Sequence, residues 1–417
     1  MKKKTLIFDA SVISENLSAG RGRSGIYFAA YNILKNLIDS GRFDISLYST
    51  VNSVEFVEFV KRECGDSIDI HYANRYAKFL SKMSELDDKL RANKHNIIKL
   101  LLKVFVRRPV NFIGQNVQIP DFDIAFSPVR AFPKAIHANR RYILLHDVIP
   151  LVLPEYYLSV KLKKHWFCGL VGYVKSDLEC KYFANSNATK GDFVKFLNVN
   201  PDDIVVTPLA AGDNFYHVSD TKKIAEVRAK YNIPVGKKYV FSLCTLEPRK
   251  NLIRAVKTFI EFIKKNKIDD MVFVLGGAHW AEFIGKLESE IKDLGKYKDK
   301  IIRAGYVDDA DLPVLYSGAE WFVYTSQYEG FGLPPLEAMK CGCPVITSNN
   351  SSLPEVVGDA GLMIDWDSDE QHVAAYEKYY NDKRFRNAMA RRGLKRASEF
   401  SWKKTVDVMI HEMTQDE

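Results

Sequence analysis

Short apolar segments that alternate with helical patterns constrain the fold of this chain more than any other feature of its sequence. In the second half, each short apolar or β-branched run is followed by Gly, Pro or Ser and then by a helix-like period. A repeated strand–helix order of this kind predicts parallel sheets with helices on both faces. The predicted strands of this half are Tyr239–Leu243, Met271–Leu275, Ile301–Ile302, Trp321–Tyr324 and Val345–Ile346.

The first half shows the same alternation, with a clear helical period at Ile26–Ile38. Between the halves, Thr207–Asp213 joins the end of a strand to Pro and Gly residues, so we place a linker at about 208–220. The prediction is an α/β chain with two Rossmann-like domains, residues 1–212 and 213–395, whose ligands bind in the cleft at the carboxyl ends of the strands. The predicted strands of the first half are Leu6–Phe8, Ile45–Tyr48, Arg141–Leu145, Tyr182–Ala184 and Ile204–Val206.

Composition excludes several classes of protein. Of the 417 residues, 47% are apolar and 27% are charged, which is ordinary globular usage and excludes a disordered or collagen-like chain. No apolar run reaches about 18 residues, so no membrane span is predicted. The apolar stretch of the basic N-terminus ends at Asp9, too early for a signal peptide, and we expect a cytoplasmic protein. The six cysteines predict neither a disulfide framework nor a metal site.

The net charge of +8 includes one concentrated basic segment, residues 94–108, within an amphipathic region near 78–108. Lys99, Lys103 and Arg107 recur every four residues there, so a helix would align them on one face. Aliphatic residues fill much of the remainder. The pattern suits a helix in an anionic membrane interface, and it also suits a buried helix with one solvated basic face.

The strongest local signal is a strand, a glycine loop and a helix start at residues 321–337. Gly330 and Gly332 allow the backbone to approach a ligand closely. The free amides at the start of the helix favour an anion, most simply a phosphate. Glu329 and Glu337 bracket the loop. Taken alone, the same residues also fit a Gly-Pro turn with two surface glutamates.

Three motifs together make this chain resemble the retaining glycosyltransferases of the GT-B fold, in the large group 1 family that uses nucleotide-sugar donors. The first is E-x7-E, Glu329–Glu337, filled by G-F-G-L-P-P-L; the second is T-L-E-P-R-K-N-L, Thr245–Leu252; the third is H-D-x-x-P, His146–Pro150. The resemblance is nearly continuous in the second half and confined to scattered motifs in the first. It implies two domains across a cleft and a terminal helix, residues 396–417, that returns to the N-terminal domain.

The resemblance also implies roles around the donor. Glu329 would hydrogen-bond the transferred sugar, Glu337 would accept from the ribose hydroxyls, and Lys250 would bind the diphosphate. Many family members carry Arg at the position of Thr245; here Arg249 is the candidate for the second phosphate cation. A basic pair at a helix start is unfavourable for the helix dipole, which favours a bound anion. The other donor-side residues implied are Gly25, Tyr306, Val307, Gly330, Phe331, Gly332 and Leu333.

The first half is expected to supply the acceptor side of the cleft. By resemblance, His146 would lie near the donor sugar, with Asp147 orienting it. The glycine-rich loop after residue 19 would bring backbone to the donor phosphates and to the acceptor. The predicted catalytic residues are Glu329, His146 and Lys250, and the predicted acceptor-side residues are Gly22, Ser24 and Asp147.

Two other functions fit parts of the sequence. Gly20, Gly22 and Gly25 match G-x-G-x-x-G with Asp44 downstream, as in an NAD-dependent oxidoreductase. However, ten residues separate this motif from its strand. A catalytically inactive binding subunit would keep the fold and lose the catalytic residues, which are present. Asp-x-Asp pairs at 121–123, 309–311 and 365–367 are of a kind that is frequent by chance, and we expect no metal requirement.

The resemblance therefore implies a retaining hexosyltransferase, without cofactor or metal, that moves a hexose from a nucleotide diphosphate to a hydroxyl of a glycan or a lipid-linked oligosaccharide. Members with these motif variants are often mannosyltransferases of bacterial surface polysaccharide assembly. GDP-mannose is thus the first donor expected, with UDP-sugars and GDP-deoxyhexoses as alternatives. Nucleic acid is not an expected partner. The expected location is the cytoplasm, at the inner face of the plasma membrane if the basic segment binds lipid.

Overall fold

The computed structural model describes residues 3–19, 25–74, 76, 79, 117–133, 135–157, 170–172, 174, 179–277 and 281–415. Two predicted features lie outside these residues: the glycine-rich loop with Gly22 and Ser24, and the basic segment with Lys99, Lys103 and Arg107. None of the described helices combines the length and the apolar character needed to cross a membrane.

A parallel sheet of seven described strands organises the first half of the chain. Its strands are β1 (Lys4–Asp9), β2 (Phe43–Ser49), β3 (Ile70–Tyr72), β4 (Phe122–Ser127), β5 (Ala138–Leu145), β6 (Cys180–Ala184) and β7 (Ile204–Val206). The order across the sheet is β3-β2-β1-β4-β5-β6-β7. In this register Leu6 lies between Ile45 and Ile124. The sequence pattern missed β3 and β4.

Helices cover this first sheet. They are α1 (Ser11–Ala19), α2 (Gly25–Ser40), α3 (Val54–Cys64), α4 (Ile149–Val152), α5 (Pro154–Tyr157) and α6 (Asn187–Leu197), with a 3-10 turn at Pro201–Asp203. The predicted helical period at 26–38 corresponds to α2, which buries Ile33, Leu34 and Leu37. Because α1 follows β1 directly, a helix stands between the strand and the glycine motif. A dinucleotide fingerprint needs that motif immediately after the strand, so the oxidoreductase reading does not fit.

A second parallel sheet, of six described strands, organises the rest. Its strands are β8 (Lys238–Leu243), β9 (Met271–Gly276), β10 (Ile301–Gly305), β11 (Trp321–Tyr324), β12 (Val345–Ser348) and β13 (Gly361–Ile364). The order is β10-β9-β8-β11-β12-β13. All five strands predicted for this half are present, and β13 is additional. Central strands such as β9 are buried along their whole length, as expected for a parallel sheet with both faces covered.

The helices of the second half lie on both faces of this sheet. They are α7 (Thr221–Lys230), α8 (Leu252–Lys265), α9 (Ala281–Asp293), α10 (Leu312–Gly318), α11 (Leu333–Lys340), α12 (Leu353–Val357), α13 (Asp369–Asn381) and α14 (Lys383–Ala397), with 3-10 turns at Pro248–Lys250 and Gly295–Lys300. Between β7 and α7 lies the segment 207–220, where the sequence predicts the linker.

The last helix, α15 (Trp402–Thr414), contacts the first half of the chain. It packs against α2. The carbonyl of Glu412 accepts a hydrogen bond from the Tyr142 hydroxyl of β5 at 3.3 Å. The Glu412 carboxylate also lies 3.5 Å from the ammonium of Lys181 in β6. The chain end therefore lies against the first sheet, although the preceding helix α14 belongs to the second half.

We predict that α15 stabilises the two-domain arrangement through its apolar face. Met409 is fully buried, whereas the neighbouring Val408 is 42% exposed. Met409→Ala should lower the free energy of unfolding by about 2–5 kcal/mol, and Val408→Ala should change it little. Denaturant unfolding of both variants measures the difference. Deleting residues 401–417 should expose the apolar surface that α15 covers and reduce activity; a truncated protein with unchanged stability and activity would contradict a bracing role.

Candidate active site

The predicted donor residues lie at the switch point of the second sheet. At this point strand order reverses: β9 and β10 follow β8 on one side, and β11, β12 and β13 lie on the other. In that sheet β8 lies beside β11, and β9 and β12 lie on the outer sides of this pair. Such a switch point leaves a crevice at the carboxyl ends of the two strands. The loop after β8 carries Arg249 and Lys250, and the loop after β11 carries Glu329. Gly332 closes the second loop with φ 116°, a conformation that glycine adopts without strain.

Glu329 forms a buried ion-pair cluster with both predicted phosphate cations. Its Oε1 lies 2.6 Å from Nζ of Lys250, and its Oε2 lies 2.9 Å from Nη1 of Arg249. Lys250 also donates to the Tyr324 hydroxyl at 2.6 Å. The side chains of Glu329, Arg249 and Lys250 are each less than a tenth exposed. The structure therefore brings together two of the three predicted catalytic residues and the candidate second cation.

The charge state of Glu329 follows from these neighbours. Burial alone would raise the pKa of its carboxyl, but Arg249 and Lys250 outweigh burial and lower the pKa to about 2. Opposite charges within about 4–6 Å favour the ionised form in this way. Glu329 is thus an anion at neutral pH, able to accept hydrogen bonds from sugar hydroxyls.

The first half of the chain completes the cluster through Tyr157, the last residue of α5. The hydroxyl of Tyr157 accepts a hydrogen bond from Nε of Arg249 at 3.0 Å and donates to Glu247 at 3.1 Å. Glu247 in turn lies 2.7 Å from Nη2 of Arg249. Two carboxylates thus balance two cations. Sequence reasoning missed both residues: Glu247 lies within the T-L-E-P-R-K-N-L motif, but Tyr157 carries no motif signal.

His146 follows β5 and contacts the first sheet rather than its predicted orienting partner. Its Nε2 lies 2.7 Å from the carbonyl oxygen of Pro128, so Nε2 carries the proton that is donated. Burial lowers the pKa of His146, which keeps the ring neutral at neutral pH and leaves Nδ1 as an acceptor. Asp147 instead accepts from the amide of Ile149 at 3.1 Å, at the start of α4.

Gly330 is the point at which the Glu329 loop touches the first half. A Cβ atom built on Gly330 would lie 2.1 Å from the carbonyl oxygen of His146, so a larger residue would push the loop away. The Gly330 carbonyl accepts from the hydroxyls of Ser186 at 2.7 Å and Thr189 at 3.1 Å. These contacts hold Glu329 against the strand end that carries His146.

A carboxylate from the second half caps a helix of the first. Glu355, in α12, accepts hydrogen bonds from the backbone amides of Asn187 at 2.8 Å and Ala188 at 2.7 Å. These are the first two residues of α6, whose amides have no partner within the helix. A negative charge at this end also favours the helix dipole. This cap is therefore a second contact between the two halves of the chain, besides the one made through Gly330.

Glu337 lies one turn into α11, where its carboxylate accepts a hydrogen bond from the Tyr316 hydroxyl at 3.1 Å. Burial raises the pKa of Glu337 to about 7, against the opposing effect of that hydrogen bond. Below pH 7 the carboxyl is therefore mostly protonated, and above it the carboxylate predominates.

We predict that nucleotide affinity depends on this ionisation, since the resemblance assigns Glu337 to the ribose hydroxyls. GDP affinity should rise between pH 6 and pH 8 in the wild type, because the carboxylate is the better acceptor. Glu337→Gln should show a flatter profile, which controls for the titration of the phosphate groups. Calorimetry at several pH values gives both profiles. Parallel profiles would show that Glu337 does not contact the nucleotide.

The other described residues predicted on the donor side lie in the loops after β8 and β10 and at the starts of α2 and α11. Thr245 is exposed in the loop after β8. Val307 is buried, whereas the Tyr306 side chain is half exposed. Gly25 begins α2, and a Cβ there would lie 3.3 Å from the Leu333 side chain.

The chain is similar in sequence to known proteins over much of its length. Residues 223–396 match the family described as Glycosyl transferases group 1. O-antigen chain mannosyltransferase B of Escherichia coli is 28% identical over 388 residues, which cover 90% of this chain and 96% of that protein. The serotype-specific mannosyltransferase WbdA of Escherichia coli is 28% identical over 271 residues, 64% of this chain and 32% of the relative.

Solved structures show the same fold across the whole chain. Anabaena HepE in complex with UDP and glucose superposes with a TM-score of 0.68 at 16% identity, covering 99% of both chains. The lipopolysaccharide glycosyltransferase WaaG gives a TM-score of 0.65 at 13% identity, covering 99% of this chain and 100% of that one. The chain therefore has the fold of the GT-B glycosyltransferases, and its residues 223–396 form a glycosyl transferases group 1 domain.

Proposed function

We propose that the protein is a retaining mannosyltransferase that moves mannose from GDP-mannose to a hydroxyl of a glycan or lipid-linked oligosaccharide in bacterial surface polysaccharide synthesis. The observation that carries the proposal is the buried cluster of Glu329, Arg249 and Lys250 at the carboxyl ends of β8 and β11. The choice of mannose is supported by the similarity to O-antigen chain mannosyltransferase B over 90% of this chain.

The cluster has the charges that such a reaction needs. When a nucleotide diphosphate leaves the sugar, negative charge develops on the phosphates, and buried cations stabilise it strongly. In the structure Arg249 and Lys250 are neutralised by Glu329 and Glu247. We propose that the diphosphate takes over part of this pairing, which leaves Glu329 to bind hydroxyls of the transferred sugar. The acceptor hydroxyl attacks the anomeric carbon from the face that the diphosphate leaves, and an oxygen of the departing diphosphate takes the proton of that hydroxyl.

Donor choice and stereochemistry are tested together. The protein is incubated with GDP-mannose, GDP-fucose or UDP-glucose and mannobiose as acceptor, and release of the nucleoside diphosphate is measured. We expect release from GDP-mannose and an α-linked product by NMR. Release from UDP-glucose alone would favour a UDP-sugar as the donor. The similar structure of HepE was solved with UDP bound. A β-linked product from GDP-mannose would contradict retention.

Metal independence is part of the proposal, because Arg249 and Lys250 can supply the positive charge beside the diphosphate. Activity should survive dialysis against EDTA without loss. A loss that Mg²⁺ or Mn²⁺ restores would show that these side chains are insufficient.

We further propose that residues 94–108 hold the enzyme at an anionic membrane surface, near a lipid-linked acceptor. Each Lys or Arg near such a surface contributes ~1 kcal/mol, so Lys99, Lys103 and Arg107 together would contribute ~3 kcal/mol. Lys99→Glu/Lys103→Glu should therefore reduce co-sedimentation with anionic vesicles. The wild type should lose its binding at high salt, where the Debye length falls to ~3 Å. Equal sedimentation of both proteins with anionic and neutral vesicles would contradict membrane binding.

A further inference from the structure

The first sheet has a switch point of its own. Its order, β3-β2-β1-β4-β5-β6-β7, places β1 beside β4. β2 and β3 lie on the β1 side of this pair, and β5, β6 and β7 lie on the β4 side. In the second sheet the corresponding junction, β8 beside β11, carries the donor residues. Ligands of open parallel sheets bind outside the carboxyl ends of the strands at such junctions. The β1/β4 junction is therefore a second place at which a ligand is expected.

Charged side chains gather at this junction. Arg130, just after β4, forms a bidentate pair with Glu15 of α1: Nη1 lies 3.0 Å from Oε1, and Nη2 lies 2.9 Å from Oε2. Thr50, just after β2, donates to Oε1 of Glu15 at 2.8 Å. The Arg130 side chain is 28% exposed and that of Glu15 is 40% exposed, so the pair is open to solvent on one side.

A buried carboxyl group, that of Asp9, fixes the backbone next to the Glu15–Arg130 pair. Asp9, the last residue of β1, is 2% exposed. It accepts from the amide of Ser11 at 3.0 Å and from the Ser127 hydroxyl at 3.4 Å. Ser127 also accepts from the amide of Arg130 at 3.1 Å. The backbone that carries the ion pair is thereby fixed to the ends of β1 and β4.

One short loop links this pair to the surroundings of Glu329. Between Ser127 and Arg130 lies Pro128, whose carbonyl accepts from the His146 ring. The backbone of His146 in turn contacts Gly330. A molecule that presents a hydroxyl to the donor sugar beside Glu329 and His146 can therefore extend toward the β1/β4 junction.

The chemistry of the pair indicates the kind of molecule. The Glu15 carboxylate retains lone pairs that accept from hydroxyl groups, and the Arg130 guanidinium has donors besides the two used by Glu15. Because the pair is electrically neutral, it favours a neutral polyol over an anion. We propose that Glu15 and Arg130 form the acceptor subsite and bind adjacent hydroxyls of a neutral sugar ring. This inference rests on the proposed function, since it names the acceptor class of the same reaction.

The test separates acceptor binding from donor binding. Glu15→Gln and Arg130→Gln are compared with the wild type, and Glu320→Gln serves as the matched control. Glu320 pairs with Arg386 at 2.7 Å in the second half. A partly exposed ion pair contributes little to stability, so all three variants should fold. We expect the KM for mannobiose to rise at least tenfold in the first two variants, with GDP affinity by calorimetry unchanged. The control should match the wild type in both measurements.

A measurement without donor keeps the subsite testable if the proposed reaction fails. Saturation-transfer NMR reports binding of mannobiose and of mannose 6-phosphate directly. Binding of mannobiose to the wild type and its loss in Glu15→Gln would support the subsite even if GDP-mannose is not the donor. The subsite is overturned if mannobiose does not bind the wild type, if it binds wild type and Glu15→Gln equally, or if mannose 6-phosphate binds more tightly than mannobiose.

Discussion

Replacing Glu329 with glutamine is expected to reduce turnover by roughly 10²–10³, the effect of losing one preorganised polar group at a reacting centre. The carboxylate is ionised, since its pKa is about 2, and in the proposed complex it accepts hydrogen bonds from the transferred sugar. Glutamine keeps the size of the side chain and one acceptor oxygen but loses the charge. Steady-state turnover with saturating donor and acceptor measures the effect.

Glutamine is preferred to alanine because of the two cations around Glu329. Both substitutions remove the charge, which in a buried ion pair typically costs about 3–5 kcal/mol, but glutamine keeps the volume and one acceptor oxygen beside Arg249 and Lys250, whereas alanine also leaves a cavity. Glu247→Gln is the matched control, since Glu247 also pairs with Arg249, at 2.7 Å. If both glutamine variants lose turnover equally, the loss reflects charge imbalance around Arg249. If Glu329→Gln stays within a few-fold of wild type, the catalytic assignment of Glu329 is wrong.

Replacing Lys250 with alanine is expected to weaken binding of GDP far more than binding of GMP. A charge-assisted contact contributes ~1.5–3 kcal/mol, which corresponds to roughly 10- to 150-fold in affinity. The ammonium lies 2.6 Å from Glu329, and we expect it to contact the distal phosphate when the donor is bound. Calorimetry with both nucleotides gives the difference.

A second substitution separates charge from packing at this position. Lys250→Met keeps most of the aliphatic stem and loses the ammonium, so it should show the same selective loss of GDP affinity. Glu329 keeps Arg249 as a partner at 2.9 Å in both variants, which limits the loss of stability, and denaturant unfolding of both variants checks that they fold. Equal losses for GDP and GMP would place Lys250 away from the distal phosphate.

The second sheet was readable from sequence because each buried strand is a short apolar run bounded by Gly or Pro. Met271–Gly276, which runs into Gly277, and Val345–Ser348, which follows Pro344, show this clearly. The strand Phe122–Ser127 was missed because it contains Asp123 and lies in a stretch without a regular helical period on either side. Asp123 is accommodated through hydrogen bonds with the amide and hydroxyl of Thr5, a neighbour 118 residues away that no local pattern reveals.

The candidate site was predictable only as far as its motifs extend. The motifs identified Glu329, Arg249 and Lys250, and these three residues lie together. They did not indicate that the cations pair with carboxylates, because that depends on how two loops meet in space. Tyr157 could not be found at all, since its contact with Arg249 joins residues 92 positions apart and requires the two domains to be packed against each other.

The carboxylate of Glu355 on the first two amides of α6 has a consequence for exchanging domains between enzymes. The helix belongs to the first half of the chain, but the group that completes its N-terminus is encoded in the second half. A chimera that joins this first domain to a donor domain without an acid at that position would leave two amide groups without their partner. The interface would then lose a contact that orients both modules, even if each module folded correctly. Recombination of the two halves between enzymes of this fold therefore requires the helix end and its distant carboxylate to be transferred together.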